Sequence, residues 1–223
     1  MCERAEWRAP LTHATYSQYG EDLKVAEILS QIGEEGDSLL DIGAWGVKDF
    51  SNSRTFIERG WRAVLVEFSP LPVDALVREY GYNDRVRVIQ AAITAEEQHV
   101  QQFEITEDAL SSNDPEQVAR WKDMDSSGGE GPNRGGFYGR LWVPTLTIQE
   151  LIDQFFGDQQ IDFASIDTEG SSVGVALALM RTNWRPRVIC VEYDNRLAHL
   201  QECAQEWGYK TVHTNSTNVI LVR

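Results

Sequence analysis

Short apolar runs alternate with helical patterns along this chain of 223 residues, and this alternation constrains the fold more than any other feature. Near-continuous apolar runs predict six buried strands, at Ser38–Gly43, Ala63–Glu67, Val86–Ile93, Ile161–Asp167, Val188–Glu192 and Val219–Val222. Helices are predicted between them at Glu21–Ile32, Ser53–Arg59, Val73–Tyr80, Thr147–Phe156, Val173–Arg181 and Arg196–Trp207. Strands that alternate with helices indicate an α/β fold, with a mainly parallel sheet covered by helices on both faces.

The composition excludes several classes of protein. Apolar residues make up 42% of the chain and charged residues 25%, which are typical of soluble globular domains and not of disordered, collagen-like or coiled-coil chains. The length favours one domain that spans residues 1–223 and contains an insertion, rather than two domains. The net charge of −15, without a long basic run, argues against nucleic acid as a partner.

The cysteines and the amino terminus predict where the protein resides. Cys2, Cys190 and Cys203 lack the spacing of metal ligands, and three cysteines in a chain of this length favour a reducing compartment. The first residues carry charges where a signal peptide needs an apolar stretch, and no segment approaches 18 consecutive apolar residues. We therefore expect a cytoplasmic protein without a membrane span.

A glycine-rich insertion, residues 107–142, is expected after the third strand. Before it, the run His99–Thr106, with the apolar residues Val100, Phe103 and Ile105, fits a short strand in an edge hairpin. The stretch Leu110–Arg140 is crowded with glycine and has too few apolar residues for a core of its own, which predicts a long surface loop. A lid over a binding site and a mobile surface insertion are both compatible with this composition.

The segment LLDIGAWG, Leu39–Gly46, is a buried strand that runs directly into a glycine turn. Small residues there allow backbone N–H groups to approach a ligand, and Asp41 can accept hydrogen bonds, which suits a polar cofactor. The fingerprint G-x-G-x-x-G is absent, so a nicotinamide or flavin is disfavoured. A tight connection without a ligand is the alternative interpretation.

The next strand ends on Glu67, 24 residues after Gly43, within VLVEFSP. In a doubly wound sheet this position lies beside the first loop, and a carboxylate there can accept hydrogen bonds from both hydroxyls of a ribose. The pattern therefore predicts a nucleoside-binding acid, with a solvated acid at the end of a strand as the alternative.

Two further acids follow the strand in IDFASIDTEG, namely Asp167 and Glu169. Ligands of open parallel sheets bind outside the carboxyl ends of the strands, so these acids should share a crevice with Gly43 and Glu67. They can orient a hydroxyl, act as a general base or bind a divalent cation. The segment VICVEYDN adds Glu192 and Asp194 to the possible ligands, although a helix cap and a surface acid are equally compatible roles.

Eight sequence blocks, in this order and spacing, resemble the FkbM family of S-adenosylmethionine-dependent methyltransferases. They are SQYGEDL at Ser17–Leu23, DIGAWG and FSNSRTFIERGW within Asp41–Trp61, VEFSP at Val66–Pro70, AAI at Ala91–Ile93, VPTLTIQELI at Val143–Ile152, IDFASIDTEG at Ile161–Gly170 and RPRVICVE at Arg185–Glu192. The resemblance implies a Rossmann-like class I methyltransferase fold, with a seven-stranded sheet whose last strand is antiparallel. It also implies methyl transfer to a hydroxyl of a sugar or another aliphatic acceptor.

The resemblance also implies which residues bind S-adenosylmethionine. Asp41, Gly43 and Ala44 would approach its amino-acid part, and Glu67 would accept its ribose hydroxyls. Residues 1–35, with the motif SQYGED, look like a cap over the cofactor, although Ser17 can also simply cap a helix. The remaining expected cofactor residues are Gln18, Glu21, Ser51, Asn52, Phe68, which replaces the usual proline, and Ala91.

Methyl transfer to a hydroxyl requires orientation of the acceptor and a base for its proton. The candidate bases are Asp167, Glu169 and His13. Mg²⁺ on Asp167, Glu169 and Asp194 would acidify the acceptor and reduce the need for a base. The expected partner is a small-molecule or glycan acceptor, and a nicotinamide-dependent oxidoreductase or a non-catalytic cofactor-binding protein of the same fold are the alternatives.

Overall fold

The computed structural model describes residues 15–33, 36–97, 99–106, 111–126 and 137–223. Its helices are α1 (Glu21–Gln31), α2 (Arg54–Glu58), α3 (Pro70–Tyr80), α4 (Pro115–Ser126), α5 (Ile148–Phe155), α6 (Ser172–Met180) and α7 (Leu197–Glu206). Its strands are β1 (Ser38–Ile42), β2 (Arg62–Glu67), β3 (Val86–Gln90), β4 (Ala92–Thr94), β5 (Val100–Thr106), β6 (Phe137–Thr147), β7 (Phe163–Ile166), β8 (Val188–Glu192), β9 (Lys210–Thr214) and β10 (Asn218–Val222).

Seven of these strands form one sheet in the order β3-β2-β1-β7-β8-β10-β9. The pairings from β3 to β8 are parallel, and β10 lies antiparallel to both β8 and β9. The mainly parallel sheet with an antiparallel last strand is therefore confirmed. The strand order reverses between β1 and β7, and in open α/β sheets ligands bind at such a point.

The core lies on both faces of this sheet because successive side chains of a strand point in opposite directions. Leu39 of β1 packs with helices α1, α2 and α3, whereas Leu40 and Ile42 pack with helices α5, α6 and α7. All five residues of β1 are buried, as expected for a central strand covered on both faces. The predicted helices on both faces are confirmed.

Strands β4, β6 and β5 form a second sheet, in the order β4-β6-β5. Its strand β4 follows the edge strand β3 of the main sheet along the chain. The predicted strand Val86–Ile93 breaks at Ala91, whose N–H donates to the carbonyl of Glu67 at 3.1 Å. Residues 92–94 then leave the main sheet and pair in parallel with β6. The strand predicted at residues 99–106 is present as β5, but its antiparallel partner is β6 and not the strand that precedes it.

The prediction of a surface loop over Leu110–Arg140 is wrong for much of that stretch, because residues 115–126 form α4 and β6 begins at Phe137. A carboxylate oxygen of Asp114 accepts the N–H groups of Glu116 and Gln117 at 2.8 and 3.2 Å, which caps a helix that begins with proline. The glycines between residues 127 and 136 lie outside the described residues, so a lid stays a prediction.

Strand β9 was not predicted from the residue pattern. It lies at the edge of the main sheet, and four of its five residues are exposed, so its sequence KTVHT has no apolar run to mark it. Among the helices of the described residues, none combines the length and apolar character needed to cross a membrane.

Candidate active site

A cavity of about 470 Å³ opens at the carboxyl ends of β1, β2 and β7. This volume lies within the roughly 300–1,000 Å³ that is typical of small-molecule sites. Six of the expected cofactor or catalytic residues line it, namely Gly43, Glu67, Phe68, Ala91, Asp167 and Glu169. The chain therefore brings the ends of its central strands together around one space, as the sequence predicted.

The turn after β1 requires glycine at position 43. Gly43 has a φ of +83°, and a Cβ there would lie 1.6 Å from the carbonyl oxygen of Asp167. The N–H groups of Gly43 and Ala44 both donate to the carbonyl of Val66, at 2.9 and 3.1 Å. These two amides therefore connect β1 to β2, and Ala44 itself is buried away from the cavity lining.

Glu67 is a buried carboxylate at the end of β2, and it borders the cavity. Its Oε1 accepts the N–H groups of Phe68 and Ser69 at 2.8 and 2.7 Å, whereas Oε2 accepts no hydrogen bond from any residue that the structure describes. Burial is the main reason that the pKa of Glu67 is raised to about 7. The negative charges of Asp41 and Asp167 also raise this pKa, whereas the two backbone hydrogen bonds lower it.

Asp41 lies beneath the cavity and not in its wall. Burial raises its pKa to about 6, while hydrogen bonds with Ser53 and Ser165 lower the pKa and the charge of Asp167 raises it. Asn52 donates from Nδ2 to Ser165 Oγ at 3.0 Å, so it belongs to this buried network rather than to the lining. The hydroxyl of Ser51 lies 3.3 Å from that of Ser53, and Ser51 likewise stays outside the lining.

The amino-terminal motif makes contacts of a different kind from those expected. Glu21 is buried, and its Oε1 accepts the side-chain amides of Asn215 and Asn218 at 2.7 and 2.8 Å. Gln18 is exposed. Neither residue lines the cavity, so their contact with a cofactor stays a prediction. His13 lies outside the described residues.

Asp22 of the same motif is a buried anchor that the sequence reasoning did not identify. Its carboxylate accepts the hydroxyls of Ser17 and Thr55 at 2.8 and 2.6 Å and the N–H of Tyr16 at 3.1 Å. These hydrogen bonds hold the pKa of Asp22 below its usual value, although burial opposes them. Ser17 Oγ also accepts the N–H of Asp22 at 3.2 Å, which satisfies a donor in the first turn of α1. The motif thus attaches the amino-terminal segment to α2.

Acidic side chains converge at the ends of β7 and β8. One carboxylate oxygen each from Asp167, Glu169 and Glu192 lie within 4.8 Å of one another, close enough for one divalent cation to contact all three. Asp194, the expected third ligand, instead accepts the N–H of Gly170 at 3.1 Å. Glu192 occupies the third place of this group.

The crowding of these carboxylates favours protonation. Asp167 is surrounded by protein yet open to solvent through the cavity, and burial together with the charges of Asp194 and Glu21 raises its pKa, while a hydrogen bond with Glu192 lowers it. Burial and the negative charges of Asp167, Glu169 and Asp194 raise the pKa of Glu192 well above its usual range. The two carboxyl groups are hydrogen-bonded to each other, and their surroundings favour a proton between them.

Two residues of the insertion donate hydrogen bonds to Glu169. Its φ is +42°, a left-handed conformation that is uncommon for a residue with a side chain. Ser112 Oγ donates to the carbonyl oxygen of Glu169 at 2.7 Å, and Gln117 Nε2 donates to its carboxylate Oε2 at 2.9 Å. Ser112 and Gln117 were not predicted, because 57 and 52 residues separate them from Glu169 and no local pattern marks them.

Comparison with known families agrees with this fold. A family model described as the methyltransferase FkbM domain matches residues 33–210. The chain belongs to the FkbM methyltransferase family. Its resemblance to that family is confirmed, and membership implies S-adenosylmethionine as the methyl donor.

Two solved structures are similar to this FkbM domain in outline. One is described as the delta-N METTL16 MTase domain, with 10% identity, a TM-score of 0.43, and coverage of 91% of this chain and 80% of that chain. The other is a human methyltransferase 10 domain containing protein, with 12% identity, a TM-score of 0.45, and coverage of 90% and 80%. A comparison with curated proteins found no match.

Proposed function

We propose that this FkbM domain transfers the methyl group of S-adenosylmethionine to a hydroxyl of an aliphatic small molecule or glycan. The observation that carries the proposal is that Gly43, Glu67 and the pair Asp167 and Glu169 line the same cavity. A nucleoside site and a pair of carboxylates suited to proton transfer thus share one space.

The residues of the cavity fit the cofactor that the family implies. Glu67 has one carboxylate oxygen left for the ribose hydroxyls, and Phe68 and Ala91 continue the wall beyond it. The sulfonium and ammonium groups of S-adenosylmethionine are cationic, and the negative charges of Asp167 and of Asp41 beneath it favour them. Asp41 would therefore act through its charge, without direct contact.

S-adenosylmethionine, when bound, supplies a methyl group on a positively charged sulfur. Glu169 is the base that we favour for the proton of the acceptor hydroxyl, because Asp167 is already hydrogen-bonded to Glu192. Orientation of the acceptor contributes roughly 7–11 kcal/mol in well-aligned reactions, and a positioned base contributes about 10²–10⁴ in rate.

We infer that Mg²⁺, if the reaction needs it, binds to Asp167 and Glu169, with Glu192 as the third carboxylate. The support is the short separation of these three side chains. The cation would displace the proton of Glu192 and lower the pKa of the acceptor hydroxyl.

The charges around the cavity favour an uncharged acceptor. Five acids line it, namely Glu67, Glu96, Asp114, Asp167 and Glu169, and Arg196 is the one basic residue among the described residues that line it. A phosphate or carboxylate would meet mainly negative potential there. Neutral sugars and other polyols are therefore the acceptors we expect.

The direct test is incubation of the full chain with radiolabelled S-adenosylmethionine and separate pools of neutral glycans, phosphorylated sugars and small alcohols, with and without EDTA. We expect label in a neutral hydroxyl product, and a loss of at least about a hundredfold in the Glu169→Gln variant. Loss of transfer with EDTA would support the cation. Tight binding of the donor without transfer to any pool would support a non-catalytic cofactor-binding protein instead.

A further inference from the structure

The aromatic rings of Phe68 and Phe103 lie against each other at one end of the cavity. Their centroids are 4.3 Å apart, their planes are inclined by 35°, and both residues line the cavity. Phe68 directly follows Glu67 at the end of β2, whereas Phe103 comes from β5 of the second sheet. The second sheet thus reaches into the site that the main sheet builds.

The order of the strands indicates which part of a nucleoside cofactor would lie at this end. The carboxylate pair follows β7, which lies on one side of β1, and Glu67 follows β2 on the other side. A sulfonium near Asp167 and a ribose on Glu67 place the base farther along the same direction, beyond β2. Phe68, Ala91 and Ala92 form the cavity wall there.

Phe103 is the buried support of that wall. It is 7% exposed and packs in a small core with Ala92 and Val143, whereas Phe68 is partly exposed to the cavity. The backbone of Phe68 is fixed by its N–H, which donates to Glu67 Oε1 at 2.8 Å. The carboxylate thus fixes the main chain of Phe68, and the ring of Phe103 fixes its side chain.

We propose that Phe103 is a positioning residue for the purine of the cofactor, because it holds the ring of Phe68 in the orientation on which the purine stacks. This inference rests on the proposed function and adds to it that the second sheet forms part of the nucleoside site. Stacking on an aromatic side chain contributes substantially to the binding of a base, so loss of the supporting ring should weaken nucleoside binding.

The test is calorimetric titration of the full chain with S-adenosylhomocysteine, which carries the purine and needs no acceptor. Phe103→Leu keeps most of the apolar volume and removes the ring, and we expect its Kd to rise about tenfold. Phe68→Leu should raise the Kd by at least as much. Because Phe103 acts through Phe68, the double variant should bind within about twofold of Phe68→Leu alone.

Val143→Ala provides the matched control. Val143 belongs to the same small core and is 1% exposed, but it does not line the cavity. We expect this variant to lose thermal stability and to keep its Kd within about twofold of the unmodified chain.

Three outcomes would overturn the inference: unchanged binding by Phe103→Leu, additive losses in the double variant, or an equal loss in Val143→Ala. No binding of S-adenosylhomocysteine by the unmodified chain would instead contradict the proposed function itself, and the inference with it.

Discussion

Gln117 Nε2 donates a hydrogen bond to Glu169 Oε2 at 2.9 Å and thereby connects the insertion helix α4 to the proposed base. Gln117 is 8% exposed, so the contact is protected from solvent. A buried hydrogen bond to a charged group contributes more than one to a neutral group, about 1.5–3 kcal/mol. Helix α4 is therefore attached to the turn after β7 through the side chain of Glu169, the proposed base.

Replacement of Gln117 by methionine keeps the length of the side chain and removes the donor. We expect the rate of methyl transfer to fall about tenfold or more, since each 1.36 kcal/mol corresponds to a factor of ten. The affinity for S-adenosylhomocysteine should stay within about twofold, because Glu169 lies away from the proposed nucleoside end. Transfer rates with labelled donor, together with calorimetry, measure both quantities.

Gln149→Met is the control for this substitution. Gln149 Nε2 also donates to a carboxylate, Asp153 Oδ1 at 2.9 Å, but on the exposed surface of α5. Transfer by this variant should be unchanged. An equal loss of rate in both variants would contradict the special role of Gln117.

Glu67→Gln should remove a dependence of stability on pH. The pKa of Glu67 rises from 4.5 to about 7 in the folded chain, so the folded state holds a proton that the unfolded state has lost. The stabilisation by that proton is complete below about pH 4.5 and is lost as the pH rises through 7. Glutamine still accepts the two backbone N–H groups but does not ionise.

Denaturant titrations between pH 4.5 and 8 test this prediction. The free energy of unfolding should fall less steeply with rising pH in Glu67→Gln than in the unmodified chain, with the two differing most at pH 8. In the same variant, affinity for S-adenosylhomocysteine should fall about tenfold at pH 8. Parallel pH profiles for the two proteins would show that Glu67 ionises normally.

Gly43→Ala and Gly60→Ala separate steric conflict from backbone strain. The two glycines have φ values of +83° and +82°, but a Cβ at position 60 meets no atom within 4 Å, whereas one at position 43 lies 1.6 Å from the Asp167 carbonyl oxygen. We expect Gly60→Ala to cost about 1–2 kcal/mol. Gly43→Ala should cost about 4 kcal/mol or more.

Equilibrium unfolding measures both costs, and calorimetry should show no binding of S-adenosylhomocysteine by any folded Gly43→Ala protein. If the two alanine variants were equally stable, the close approach of the β1 turn to β7 would be refuted.

Glu192→Gln should be tolerated, because glutamine resembles the protonated acid. Burial and neighbouring negative charges raise the pKa of Glu192, which favours the neutral acid, so its replacement should change the free energy of unfolding by less than about 1 kcal/mol at pH 7. Asp162→Asn is the contrasting case, since Asp162 Oδ2 accepts the N–H groups of Asp37 and Ser38 at 2.9 and 3.1 Å.

Asp162 also pairs with Arg187 at 3.3 Å, so its amide variant should lose about 2 kcal/mol or more. Urea titrations at pH 7 compare the two. A loss of several kcal/mol in Glu192→Gln, without added metal, would indicate that Glu192 is ionised.

The central sheet was predictable because each of its central strands is an apolar run that can be identified from the local sequence alone. The runs at β1, β2 and β8 are apolar on both faces, and the predicted ends differ from the observed ones by at most one residue. Residues placed by strand ends, such as Glu67 and Asp167, could be assigned to one crevice from topology alone.

The parts that could not be predicted depend on contacts between distant residues. Helix α4 lies in a polar, glycine-rich stretch, and salt bridges of Lys122 and Arg140 with Glu104 connect it and β6 to β5. Asp22 is satisfied partly by Thr55, 33 residues away. Such partners have no period in the sequence, so only the fold brings them together.

A crystal structure of the full chain with S-adenosylhomocysteine is the most direct test of the proposed site. We predict that the ribose hydroxyls lie within hydrogen-bonding distance of Glu67 Oε2, that the purine lies against Phe68, and that the sulfur faces Asp167 and Glu169. A structure in which S-adenosylhomocysteine binds outside this cavity, or binds with its ribose away from Glu67, would contradict the account.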